Sequence, residues 1–394
     1  MTSLPKNTQS EAVYCGASSF TKGPHARTAT SQAFFDRVCA GGGLFNLAKC
    51  CVARGDGFFG QCRLKVLMFV LCFFSFSCLA FADMAPYFDP SSVGSSASMI
   101  GMGYIQGFSP YANSVFENPA SLYRTSQGSA SVFSTKIMNE VNYYNCAAAL
   151  RLKYGVVALG YMAMGVDDLI KTRINNDLVI FGDQGSYNYR NNFIKLGYQA
   201  SIREHLHVGL NLNFYSLQMD TLTGKGSNVD LGMVLDKGFI ETSFVLKNVL
   251  QSQKMVFSDS DTLSFVSGTN NSSGEKELLP LSWILSSKVY WRAFSFSAQF
   301  KRMAYYGVSL KSFGLEYHPS YFASLLRFSA GYGEYHTVQS LKNDNVDLTH
   351  VSQALSFGLG LTLFNVHFDY AFERGEHVVK SARQRHYFSL NFYF

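Results

Sequence analysis

The chain has 394 residues, 47% of them hydrophobic but only 15% charged, with 35 Phe and 23 Tyr. So much aromatic residue beside so little charge argues against an ordinary soluble enzyme and suits a chain that meets lipid through strands. The formal charge of +6 does not mark a nucleic-acid binder: eight of the 33 basic but only three of the 27 acidic residues precede residue 83, so the excess sits there and the remainder is close to neutral.

Seven of the eight cysteines also precede residue 83; only Cys146 follows, which leaves no intrachain disulfide for the rest. Residues 1–62 lack clear periodicity and are read as a spurious or leader extension. Arg63 and Lys65 then open a basic start, Val66 to Leu79 is an apolar run, and Ala80-Phe81-Ala82 puts small residues before a cut between Ala82 and Asp83. Residues 63–82 are therefore expected to be a secretory signal peptide, too short and wrongly flanked for a membrane helix. Translation is expected to start near Leu64 or Val66, with a long cleaved leader as the alternative.

Residues 83–127 do not alternate and are rich in Gly, Ser and Ala. After Gly101-Met102-Gly103 the third glycine of a nucleotide loop is misplaced and the strand-to-helix setting is missing, so no nucleotide site is expected. The segment is expected to fold into a barrel lumen as a hatch, or plug. In Asn118-Pro119-Ala120, Pro fixes one dihedral, Asn can bond its own backbone and Ala allows close approach, which predicts a tight turn.

From Gly128 the pattern is period two. In "HLHVGLNLNFY", Leu206, Val208, Leu210, Leu212 and Phe214 oppose His207, Gly209, Asn211 and Asn213. A small or polar face opposite an apolar one fits a barrel with a wet lumen better than a dry sandwich. Fourteen strands of bilayer-crossing length are expected near 128–136, 142–152, 155–164, 191–202, 205–217, 226–236, 238–248, 281–291, 293–303, 307–318, 322–334, 352–362, 364–374 and 385–394. A twelve-strand count is the competing reading. Leu310 and Phe313 are out of phase, which predicts a bulge near Lys311. Short turns at one end and longer loops (165–190, 217–225, 249–280, 335–351, 375–384) at the other follow the outer-membrane pattern, with both termini on the short-turn, periplasmic side. The terminal "RHYFSLNFYF" would close the sheet against strand one, with Phe392 and Phe394 facing lipid.

Parity turns Arg151, Lys195, Lys247, Lys288, Lys301 and Arg327 inward, along with Asp230, Glu241, Glu316 and Asp369. Each cation either meets a cargo carboxylate or pairs with an inward acid, and pairing is the expectation for any single one. Arg327 and Lys288 are the candidate ligand contacts, chosen as lying away from strand ends. His205 with His207, and His367 with Asp369, share the inward face and read as polar lining. There is no HExxH, Walker or Gly-x-Ser-x-Gly motif, so no catalytic residue, metal or cofactor is expected.

"ENPASL" ahead of a fourteen-strand barrel resembles the Asn-Pro-Ala hatch motif of FadL-type long-chain fatty acid transporters. "VDLGMVLDKGFIETSFVLKNV" and "FGLEYHPSYFASLLRFSAGYG" resemble stretches of the related PorV-like barrels, and the likeness extends to FadL-like proteins of treponemal spirochaetes. It covers roughly residues 85–394. The resemblance implies an all-β transmembrane antiparallel barrel (128–394) with an N-terminal hatch (83–127), sited in the bacterial outer membrane. It also implies apolar cargo, with long-chain fatty acids foremost, and a terminal Phe394 read by the barrel-assembly machinery. A monomer surrounded by outer-membrane lipid is expected. The alternative is an interaction barrel, a surface adhesin or secretion shuttle acting through its loops.

Overall fold

The computed structural model describes residues 89–394 apart from 138–139, 176–177, 252, 260–275, 320–324, 337–338, 341–345, 348–349 and 376–383. The expected leader, signal peptide and Ala82–Asp83 cleavage site lie outside the described residues. The strands in chain order are β1 (Gly128–Ile137), β2 (Val141–Leu152), β3 (Gly155–Asn175), β4 (Leu178–Arg203), β5 (Leu206–Met219), β6 (Leu222–Asp236), β7 (Ile240–Lys247), β8 (Lys254–Asp259), β9 (Lys276–Leu278), β10 (Ser282–Trp291) and β11 (Phe294–Met303). They continue with β12 (Val308–Tyr317), β13 (Leu326–His336), β14 (Gln339–Ser340), β15 (Val346–Asp347), β16 (Val351–Leu363), β17 (Val366–Gly375) and β18 (Gln384–Tyr393).

Fourteen of these form one closed antiparallel ring. β1 to β7 follow in order, then β10 to β13, then β16 to β18, and β18 pairs back on β1 from Ser129 opposite Tyr393 to Ser134 opposite Phe388. This settles the strand count at fourteen rather than twelve. β8 extends the sheet beyond β6, β9 pairs with β8, and β14 with β15 form a separate hairpin. Most barrel strands follow the two-residue period over their described length. Phe214, Phe313 and Phe357 are 47%, 56% and 55% exposed on the outer face, while Asn211, Asp230 and Asp369 are each 1% exposed on the inner. That inversion, apolar out and polar in, is what a lipid solvent demands of a closed sheet.

At one end, the turn end, most connections are two or three residues long. Arg292 (φ 54°) and Phe364 (φ 53°) take the left-handed conformation that lets such hairpins match the strand twist. The other, loop end carries the longer connections. There β3 and β4 run on as a paired ribbon through much of the expected 165–190 loop, with register shifts between Val166 and Leu169 and between Ile170 and Thr172. The expected long connection at 217–225 is instead a tight turn at Asp220 (φ 54°) and Thr221, because β5 and β6 stay in register to Met219 opposite Leu222.

Three local expectations need correction. No bulge occurs near Lys311: β11 and β12 pair without a shift from Phe294–Tyr317 to Met303–Val308, and the apolar Leu310 faces inward. Leu310 was out of phase because the inner wall is not uniformly polar at this level, where Ile284 is also buried on the far side of Lys301. His205 does not share the inner face with His207; β5 begins at Leu206, and His205 lies in the exposed turn before it. β13 begins at Leu326, so Arg327 is its second residue, at a strand end rather than away from one.

Candidate functional site: the hatch and the lumen it fills

Residues 89–127 lie inside the ring as short capped pieces. Asp89 caps the 3-10 turn Pro90–Val93, its Oδ1 accepting from the Ser91 amide at 2.8 Å. Ser96 caps α1 (Ala97–Gly101), its Oγ accepting from the Met99 amide at 3.2 Å. After α2 (Ser114–Glu117), Asn118 opens the 3-10 turn Pro119–Arg124, with its Oδ1 accepting from the Ala120 amide at 2.9 Å. Side-chain caps suit such pieces, which are too short for internal bonds to satisfy their first amides.

The hatch touches the wall where the wall has no side chains. A Cβ on Gly209 or Gly232 would collide with the Pro119-Ala120 backbone or the Asn118 carboxamide. On Gly160 and Gly197 it would strike Phe116 and Val115. These four glycines, one each on β3, β4, β5 and β6, form the first seat. The second is on β12, β13 and β16. There Gly314 and Gly331 face the backbone of Met102 and Gly103, and Gly358 faces Gly101. Gly101-Met102-Gly103 is thus a backbone-to-backbone seat. Polar wall groups then bond both side chain and backbone of the hatch. Asn118 Nδ2 donates to Ser243 Oγ at 2.7 Å, Asn211 Nδ2 to the Val115 carbonyl at 2.7 Å, and Lys247 Nζ to the Phe116 carbonyl at 3.0 Å. In the second seat Ser356 Oγ accepts from the Gly103 amide at 3.1 Å.

The inward charges pair as opposite-sign neighbours in a buried site should. Lys195 Nζ lies 2.6 Å from Asp230 Oδ2. Lys288 bonds Glu316, and Arg327 bonds Asp369 and lies 3.4 Å from Glu316. Arg327 Nη2 also donates to Ser98 Oγ of α1 at 2.8 Å, so this network holds the hatch as well as the wall. His367 Nε2 lies 2.9 Å from Asp369 Oδ1, inside the same network. Arg151 donates to hatch-exit carbonyls, through Nε to those of Thr125 and Ser126 at 2.8 and 2.7 Å. Toward the turn end Tyr123 stacks on His207 at 3.7 Å between ring centres, its hydroxyl donating to Asp236 Oδ2 at 2.7 Å, and Arg124 pairs with Glu241. Lys301 has no ion-pair partner among the described residues; Ile284 and Leu310, its cross-strand neighbours, are buried and apolar.

Within the hatch, Glu117 is 2% exposed and accepts from Ser95 Oγ at 2.5 Å, the Gly107 amide at 3.0 Å and Asn113 Nδ2 at 3.2 Å. Burial pushes its carboxyl above the ordinary value; the hydrogen bonds from Ser95 and Gly107 and the nearby Lys247 and Arg124 pull it partly back.

Above the first seat, toward the loop end, the lumen is apolar. Met162, Met164, Phe193 and Tyr215 face inward there, and Met255 and Phe257 of β8 lie over Gly226 and Gly224. Phe116 of the hatch meets Phe193 edge-on at 6.1 Å. Among these rings sits Asn213, fully buried on β5 between Lys195 and Asn228. Neither its Oδ1 nor its Nδ2 has a hydrogen-bond partner among the described residues. Period two placed Asn213 on the inner face, but its isolation depends on neighbours from β4 and β6 that no local pattern reveals.

No protein-family model matches the chain, and no curated protein sequence is similar to it. Solved structures do match. The deltaS2 mutant of the TodX monoaromatic hydrocarbon channel aligns with a TM-score of 0.50 at 13% identity, over 78% of this chain and 100% of that one. The Pseudomonas putida toluene transporter TodX gives 0.47 at 13% identity over 78% and 97%. The CymD monoaromatic hydrocarbon channel gives 0.46 at 12% identity over 77% and 98%. At such identities the likeness speaks to architecture alone, and the architecture is shared: this chain is a closed fourteen-strand antiparallel β-barrel of the outer-membrane kind.

Proposed function

We propose that the protein is an outer-membrane channel for hydrophobic small molecules, with the loop end facing outward and the hatch gating the lumen. The observation that carries this reading is the apolar, Met- and aromatic-lined upper lumen standing directly on the seated hatch. A soluble solute gains nothing there, whereas an apolar one leaves water for a surface of matching chemistry. The TodX deltaS2 mutant, a solved barrel of similar architecture, is a monoaromatic hydrocarbon channel, which supports apolar cargo as a class. Among apolar cargoes we favour long-chain fatty acids. Asn213, between Lys195 and Asn228 at the polar edge of that apolar stretch, offers an unused donor and acceptor to a carboxyl head, and the FadL-like resemblance points the same way. Arg327 and Lys288 as carboxylate contacts belong to this proposal too, and there a cargo head would compete with Glu316 and Asp369. Export by the signal peptide ending at Ala82, insertion by the barrel-assembly machinery, action as a monomer and periplasmic termini complete it.

The test is uptake. Residues 83–394 reconstituted in liposomes, or produced in a bacterium lacking its own transporter, should admit labelled oleate and toluene faster than protein-free controls. Toluene uptake without oleate uptake would remove fatty acids and keep the channel. Uptake of neither, with a correctly inserted barrel, would overturn the transport reading.

A further inference from the structure

The outer wall over β10–β13 carries a feature that transport through the lumen does not use. Strand register puts Ser287, Ala298 and Phe313 on one level, with Leu315 and Ala330 on the next level toward the turn end. Ser287, Ala298 and Ala330 are short where their outward neighbours are large, and the wall is dished there into a groove of about 600 Å³. That size falls within the range of small-molecule sites. One level toward the loop end stands Lys311, opposite Phe300, and one level further stands Arg302, opposite Ser309 and Trp283. Both cations are exposed on the outer face.

Arg302 Nη1 donates to Ser309 Oγ at 2.8 Å, which lays the guanidinium along the wall. Neither Arg302 nor Lys311 has an ion-pair partner among the described residues. The nearby carboxylate of Glu334 is engaged by neutral donors: it accepts from the Lys311 amide at 2.9 Å and from the Tyr332 hydroxyl at 3.3 Å. Trp283, its ring 5.2 Å from that of Phe300, marks the level where indoles favour the boundary between hydrocarbon and headgroups. Two outward cations at that depth meet phosphate, the anion for which a guanidinium fork is best shaped.

We propose that this strip is a docking site for one anionic, phosphate-bearing membrane lipid. The phosphate rests on Arg302 and Lys311, and an acyl chain lies in the groove over Ala298 and Ala330. Lys136 on β1, an exposed outward cation on a different part of the wall, serves as the control.

The probes are phosphatidylglycerol and phosphatidylcholine, offered separately to the detergent-purified full chain, with retained lipid counted by native mass spectrometry. Phosphatidylglycerol should be retained over phosphatidylcholine. Arg302→Gln and Lys311→Gln should each weaken its retention about fivefold, the effect of one interfacial charge. Filling the groove with Ala298→Phe and Ala330→Phe should also release it, while Lys136→Gln should change nothing. Heat-modifiable mobility confirms an intact barrel in each variant. Equal retention of the two lipids by the wild type, or unchanged retention in the double charge variant, overturns the proposal. Unchanged retention in the groove-filled variant overturns it as well, since charge alone would then account for binding.

Discussion

Asn213 and Glu117 are both polar side chains that are almost wholly buried. A buried amide with no partner costs roughly 1–3 kcal/mol, so Asn213→Leu should raise the thermal stability of the barrel while lowering uptake of cargo that carries a hydrogen-bonding head. Toluene uptake, which needs no such bond, should be unchanged, and the ratio of oleate to toluene uptake is the readout. If both cargoes lose equally, the amide acts on packing and not on recognition. Glu117 gives a pH dependence. Its carboxyl, raised chiefly by burial, keeps its proton in the seated hatch where an unseated hatch has already released it. Seating is therefore strongest below the ordinary carboxylate range and weakens as pH rises through that range toward the raised value. Liposome leak should climb over that interval in the wild type and stay flat in Glu117→Gln. A leak that falls with rising pH would reverse the sign and remove Glu117 as its source.

Among elements, the seats decide what can change. Gly331→Val on β13 places a side chain into the Gly103 backbone, and Ala120→Trp overpacks the turn that rests on Gly209. Overpacking costs on the order of 1–3 kcal/mol locally; the strand ladders do not depend on it, so each variant should insert normally yet show leakier conductance. Wild-type conductance in both would take the hatch out of gating. How far these elements could be read beforehand follows from the range of the interactions involved. Most strand positions came through within a few residues because period two is a local property, as in Leu206 to Phe214, but the expected 155–164 and 191–202 fell short of the ribbon that carries β3 to Asn175 and starts β4 at Leu178. The Asn118-Pro119-Ala120 turn was legible for the same reason: its bond closes within two residues. The seats were not, since Gly209 and Gly232, or Gly314 and Gly331, look like ordinary lumen-facing glycines until the register sets them side by side. Leu310 misled because an inward apolar residue breaks the polar-in alternation expected of a wet lumen.

For the whole molecule, closure rests on the last strand. The Phe394 amide donates to the Gly128 carbonyl at 3.0 Å and the Gly128 amide to the Phe394 carbonyl at 2.9 Å, sealing β18 to β1. Deleting residues 392–394 should block membrane insertion while leaving export intact, and Phe394→Asp should weaken it, a charge on a lipid-facing position costing about 0–4 kcal/mol with depth. Unchanged membrane yield and heat-modifiable mobility would count against a role in closure. The two hatch seats have a mechanical consequence. Around the ring, β5 of the first seat and β13 of the second stand six staves apart one way and eight the other, nearly across a diameter. A segment fastened at both places is a tie-beam. It fixes the distance between opposite walls, so lateral pressure from the bilayer, which would squeeze an empty fourteen-stave cylinder toward an ellipse, is carried across the bore. Spin labels placed on the outer faces of β5 and β13 should report one narrow distance in the native protein and a broad spread in the Gly331→Val variant. A bore that stays equally round without its beam would mean that the staves alone set its cross-section.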